Sequence, residues 1–201
     1  MRYIGFGLLA LIAIVLVWSL TSINAIPKYE ESAHAAWAQV LNQYQRRADL
    51  VPNLVETVKG AAKFEQDTLT AVTEARARVG SMQLPPDILT NPEKMNEFES
   101  NQGALTSALS RLMVVVEKYP DLKATQNFAN LQAQLEGTEN RIAVARMDFI
   151  NAVRVYNTEL KTFPGALWHA ILYRDRETMQ QLQVEPAKLD VPKVDFGTSG
   201  N

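Results

Sequence analysis

The sequence predicts an all-α protein: a single N-terminal transmembrane helix followed by an up-and-down four-helix bundle. Three observations carry this expectation. Residues 3–26 are uncharged, apolar residues beyond them recur at threes and fours, and strand-like alternation is absent throughout. The chain has 201 residues, 47% of them apolar and 21% charged, which suits one membrane segment plus one packed domain.

The first element is "YIGFGLLALIAIVLVWSLTSINAI". At about 1.5 Å per residue it can cross a bilayer core of roughly 30 Å. A cleaved leader would have a shorter apolar run and small residues before the cut, whereas a cut after Ala25 leaves Ile23 in the wrong place. Residues 1–27 therefore read as a retained anchor. No GxxxG face argues for its dimerisation. Arg2 and the α-amino group precede the segment and Lys28 follows it, a bias of one charge toward a bundle on the outer face of the membrane.

Residues 28–165 supply the bundle. Its first helix is marked by Trp37, Val40, Leu41, Tyr44 and Ala48, and its second by Leu54, Val58, Leu69, Val72 and Val79. Between them, "RRADLVP" reads as a junction. Asp49 is placed to cap the second helix, with Pro52 in its first turn and Arg46 and Arg47 at the negative end of the preceding one. Gly80 and two prolines stop the second helix, and Asn91-Pro92 starts a third through Phe98, Gln102, Leu105, Leu109, Leu112 and Val116. Pro120 ends it, and Asp121 is a candidate cap for the fourth. That helix runs from Phe128 to Leu160, is interrupted by Gly137 and stops at Phe163-Pro164-Gly165. The four stripes supply enough shared core for residues 28–165 to fold alone. Residues 166–201 read as a short aromatic segment and an extended or disordered tail. The segment "WHAILY" could dip into the membrane surface, but its short length favours an ordinary packed terminus.

Composition excludes several functions. Beyond Pro27 stand 19 basic and 22 acidic residues, without the basic stripe a nucleic-acid binder needs. The absence of cysteine removes disulfides, thiol chemistry and Cys-ligated metals. Glu31 and His34 form a single ExxH, but a dimetal bundle site needs two such motifs, and the only other histidine, His169, has Ala166 three positions earlier. Two histidines leave little material for a Ser–His–acid triad, and no phosphate-cradling glycine motif occurs. No catalytic, cofactor-binding or metal-ligating residue is assigned.

The charges on helix stripes are more informative. Glu139 and Arg146 share the apolar face of the fourth helix, and Glu65 falls on that of the second. Arg47 lies nearer the core stripe than Arg46, so Arg47, Glu65, Glu139 and Arg146 are candidates for an inter-helix polar layer. Placement in solvent at the edge of each stripe is the competing expectation.

The blocks "AWAQVLNQYQRRADLVPNLVETVKGAAKFEQDTLTAVTEARARV" (36–79) and "LQAQLEGTENRIAVARMDFINAVRVYNTELKTFPG" (131–165) resemble the LemA family. The resemblance implies an anchored four-helix bundle and brings no enzymatic activity, catalytic residue or cofactor. After Pro164 the chain departs from the family pattern with "LYRDRETMQQ". The combined expectation is a non-catalytic scaffold or partner-binding module in the inner membrane of a bacterial envelope, with its bundle facing outward. Its partners would be the lipid bilayer and one or more unidentified proteins, with no nucleic acid. A self-assembling structural protein and a membrane-bound enzyme are the alternatives.

Overall fold

The computed structural model describes residues 22–59 and 65–183, and every regular element among them is helical. The helices are α1 (Ala25–Lys59), α2 (Gln66–Ser81), α3 (Pro92–Val116), α4 (Pro120–Lys123), α5 (Gln126–Lys161) and α6 (Gly165–Ile171). The anchor expected over residues 1–27 falls almost entirely outside the described residues. Among the described helices none is long and apolar enough to cross a membrane.

The two long helices, α1 and α5, form the spine. Contacts of Glu30 with Arg176, Tyr44 with Arg146 and Arg47 with Glu139 show α1 and the chain from α5 onward running antiparallel. Arg47 also reaches Gln102 and Thr106 on α3, while Trp37, further back, meets Phe98, so α3 runs the same way as α1. Glu65, just before α2, meets Lys118, just after α3, so α2 returns antiparallel to α3. The order α1, α2, α3, α5 is thus up, down, up, down.

One expected boundary is corrected. Asp49 does not cap a helix, because α1 runs unbroken through Asp49 and Pro52 for 35 residues. Asp49 is exposed, and its Oδ1 accepts a hydrogen bond from Gln45 Nε2, one turn earlier, at 2.8 Å. Two physical reasons account for the continuity. The buried series Tyr44, Arg47, Val51, Leu54, Val58 keeps its helical phase across the proline, so ending the helix would forfeit that burial. Pro52 leaves the Ala48 carbonyl without its usual donor, and Arg76 Nε of α2 donates to that oxygen at 3.3 Å. The turn into α2 falls between Lys59 and Gln66 instead.

The other helix ends have local causes. Asn91 Oδ1 accepts from the amides of Glu93 and Lys94, with Pro92 at the first helical position, as the sequence predicts. Asp121 does not cap the fourth long segment. It lies inside the four-residue α4, and Thr125 caps α5 by accepting from the Phe128 amide. After α5, Gly165 lies so close to the Glu159 carbonyl that a side chain there would overlap it.

The interior forms two apolar compartments. One gathers Trp37, Val40 and Tyr44 of α1, Phe98 of α3 and Phe149, Val153 and Tyr156 of α5, joined by Ile88, Leu89, Met179 and Leu182 from outside the helices. Its aromatic centre places Trp37 edge-on to Phe98 at 5.0 Å between centroids, with Phe149 tilted at 5.2 Å. The other gathers Val51 to Val58 of α1, Leu69 to Ala75 of α2, Leu105 to Val116 of α3, Leu122 of α4, and Phe128 and Leu135 of α5.

Candidate functional site

The boundary between the compartments is polar. Arg47 sits on α1 between Tyr44 and Val51, Gln102 on α3 between Phe98 and Leu105, and Glu139 on α5 between Leu135 and Ile142. Each is therefore at the level where its own apolar stripe is interrupted. Arg47 is only 1% exposed, and Gln102 and Thr138 are also buried. Arg47 Nη1 donates to Glu139 Oε1 at 2.9 Å and to Thr106 Oγ1 at 2.8 Å. Its Nη2 donates to Gln102 Oε1 at 2.8 Å and to the Gln102 carbonyl at 3.2 Å. Thr106 Oγ1 in turn donates to the Gln102 carbonyl, and Thr138 Oγ1 to the Gln134 carbonyl. One guanidinium thus ties three helices together, as its fixed fork of donors allows. The Glu139 side chain is 44% exposed, so only the arginine end of the ion pair is removed from water.

The structure brings two of the four candidate layer residues together, Arg47 and Glu139. Glu65 lies elsewhere, paired with Lys118 at 3.4 Å on the exposed far end of the bundle. Arg146 belongs to a second cluster, donating to Tyr44 Oη at 2.9 Å, to Glu99 Oε1 at 3.4 Å and to the Gln183 carbonyl at 2.6 Å. The Tyr44 ring links the clusters, because the Arg47 guanidinium carbon lies 5.0 Å from its centroid. Sequence reasoning noted Gln102 only as a polar interruption and missed Thr106 and Thr138. The visible signal was a polar residue at a core position of each helix facing Arg47.

Arg146 helps to strap residues 172–183 onto the bundle. Asn157 Nδ2 donates to the Met179 carbonyl at 2.8 Å while the Met179 amide donates to Asn157 Oδ1 at 2.9 Å. The Gln180 amide donates to the Leu89 carbonyl at 2.6 Å, and the Gln183 amide to Glu99 Oε1 at 2.9 Å. Met179 and Leu182 are thereby seated in the core.

Where the strap begins it forms one wall of a cleft of about 310 Å³, lined in part by Glu30, His34, Tyr156, Asp175, Arg176 and Glu177. Arg176 Nη1 donates to Glu30 Oε1 at 2.8 Å, and Tyr156 Oη donates to the Glu177 carbonyl at 3.1 Å. Burial pushes the Tyr156 hydroxyl up to about 12, with the Glu30 carboxylate adding to the shift, Arg176 opposing it and Asp175 adding a smaller share. A phenol so held is a hydrogen-bond donor and a poor proton source near neutrality. Among the described residues no three His, Asp or Glu side chains converge in the manner of a metal site.

Magnetosome protein MamQ 2 of Paramagnetospirillum magneticum is 37% identical over 62 residues, 31% of this chain and 23% of that protein. Magnetosome protein MamQ of Magnetospirillum gryphiswaldense is 25% identical over 177 residues, 78% of this chain and 65% of the relative. Protein LemA of Metamycoplasma hominis is 24% identical over 119 residues, 59% of this chain and 50% of the relative. The chain thus spans less than two thirds of the length of each of these relatives. Residues 36–196 match the model of the LemA family, a stretch that takes in the Arg47 layer, the strap and most of both compartments, and the chain belongs to that family.

Proposed function

We propose that this protein is a membrane-anchored, non-catalytic helical scaffold that presents its bundle to a protein partner in the bacterial envelope. The observation that carries this reading is the use made of the polar groups where its helices meet. Arg47, Gln102, Thr106, Glu139 and Arg146 bond helix to helix or helix to strap, the pattern of a framework rather than of groups converging on a substrate. Family membership supports it, and the names of the relatives, two of them magnetosome proteins, state no catalysed reaction. The uncharged run 3–26 supports the anchor, and the Arg2 bias supports a bundle outside the cytoplasm. A contact surface is available on α5, where exposed Val144, Met147 and Val155 lie within a narrow arc of the helix.

The self-assembling alternative draws on the same α5 stripe, which could meet its equivalent on a second copy. Light scattering of the full chain in detergent, with Val144→Glu and Met147→Glu compared, separates the two. A monomer unaffected by the substitutions supports the adaptor, whereas an oligomer dispersed by them supports self-assembly. Protease added to spheroplasts tests the side of the membrane. Cleavage beyond residue 183 supports an outward bundle, and protection of that tail with an accessible N-terminus reverses it.

A further inference from the structure

We infer that α6 and the residues flanking it form a second membrane contact, lying in the lipid interface beside the point where the N-terminal segment reaches the bundle. This rests on the anchored reading and adds a surface to it. Leu167, Ile171 and Leu172 are exposed, Ile171 at 56%, and Phe163 just before the helix is more exposed still. Leu167 and Ile171 are spaced by four, so they share a face of the helix. Two other side chains of α6 face the rest of the protein. Trp168 packs against the aromatic compartment, and His169 Nε2 lies 2.9 Å from the Arg176 carbonyl.

What identifies the occupant is where α6 is held. Trp168 Nε1 donates to Ser22 Oγ at 3.1 Å, which pins the helix to a residue that is itself part of the uncharged 3–26 run. An anchor continuing back from Ser22 brings a bilayer to that end of the molecule, and the exposed apolar side chains then stand at its surface. An indole at this level suits the interface, where its ring is apolar and its N–H retains a partner. Lys28, Lys161 and Arg174 lie at the same end, but so do Asp175 and Glu177, so the contact is assigned to apolar insertion and does not require anionic lipid.

The chain has no cysteine, which makes single-label tests direct. Full-length Leu167→Cys, Ile171→Cys and Ser110→Cys proteins, each carrying a nitroxide, would be reconstituted in phosphatidylcholine vesicles. Ser110 is exposed on α3, about 27 Å along that helix from Pro92 and toward the end away from α6, and serves as the water-facing control. Collision with oxygen and with a water-soluble nickel chelate reads immersion. The expected result is a several-fold higher oxygen-to-chelate ratio at 167 and 171 than at 110. Equal ratios at all three positions, with protein retained on the vesicles after an alkaline wash, overturn the inference and leave the anchor standing. Protein released by the wash overturns the anchored reading, and the inference falls with it. Dipolar broadening between labels at 171, with low access to both reagents, assigns the patch to a second copy and also overturns it.

Discussion

Replacing Arg47 by methionine withdraws donors from Gln102, Thr106 and Glu139 at once and leaves the buried Gln102 Oε1 without its partner. Because Glu139 keeps water on one side, the expected loss lies at the low end for a broken buried pair, about 3 kcal/mol. Arg46, exposed one position earlier, should tolerate the same change within about 1 kcal/mol. Urea unfolding of the two variants decides this, and equal sub-kilocalorie losses would strip the layer of any stabilising role. Tyr156 sets a pH dependence of definite sign. An unfolded tyrosine ionises near pH 10 while the folded one holds its proton to about 12. Between those values the unfolded chain releases a proton that the native state keeps, so its share of stability is intact below pH 10. That share is lost as pH rises, by about 2–3 kcal/mol at most. Tyr156→Phe should flatten this alkaline limb of the unfolding midpoint; an unchanged limb would place the ionisation elsewhere.

At the scale of helices, Pro52 and Arg76 form a pair that can be tested as one. Arg76→Met should cost about 1 kcal/mol by leaving the Ala48 carbonyl unbonded. In a Pro52→Ala background the new amide serves that carbonyl, so the same substitution should cost much less, and a double-mutant cycle with no coupling would refute the account. Gly137 lies inside α5 with open space where a Cβ would go, so Gly137→Ala should raise stability by up to about 1 kcal/mol in thermal unfolding. Helix periods were legible in the sequence, and so was the Asn91 cap, because both depend on neighbours a turn apart. The continuity of α1 was misread. Proline and aspartate gave a strong local signal, while the compensating donor comes from a residue 28 positions away. Val51 carried the contrary clue, since it joins the Tyr44 and Leu54 series in one phase.

Across the whole molecule, the core draws on chain beyond the four helical stripes, since Met179 and Leu182 are buried in it. A fragment ending at 165 lacks Met179 and Leu182, each worth roughly 1.5–3 kcal/mol when buried, offset in part by the entropy of ordering the strap. A fragment spanning 22–183 should therefore exceed 22–165 by about 2–4 kcal/mol in urea, and equal midpoints would show the strap to be passive. Nothing periodic marks residues 172–183, because they are held by Asn157, Glu99 and Arg146 through their backbone. Sequence patterns report repeated side-chain faces, and an extended strap held by main-chain hydrogen bonds and two buried side chains, Met179 and Leu182, has no repeat to report. The unbroken α1 has a further consequence. At 35 residues it measures about 52 Å, against roughly 36 Å had it turned at Asp49. With the anchor proposed above, the tip that carries the Glu65–Lys118 and Glu117–Lys123 pairs stands about six Debye lengths from the bilayer at physiological salt. Surface potential from lipid head groups has decayed there to nearly nothing. A ligand docking on the tip meets only the protein's own charge, whatever lipids lie beneath, whereas α6 works inside the membrane's field.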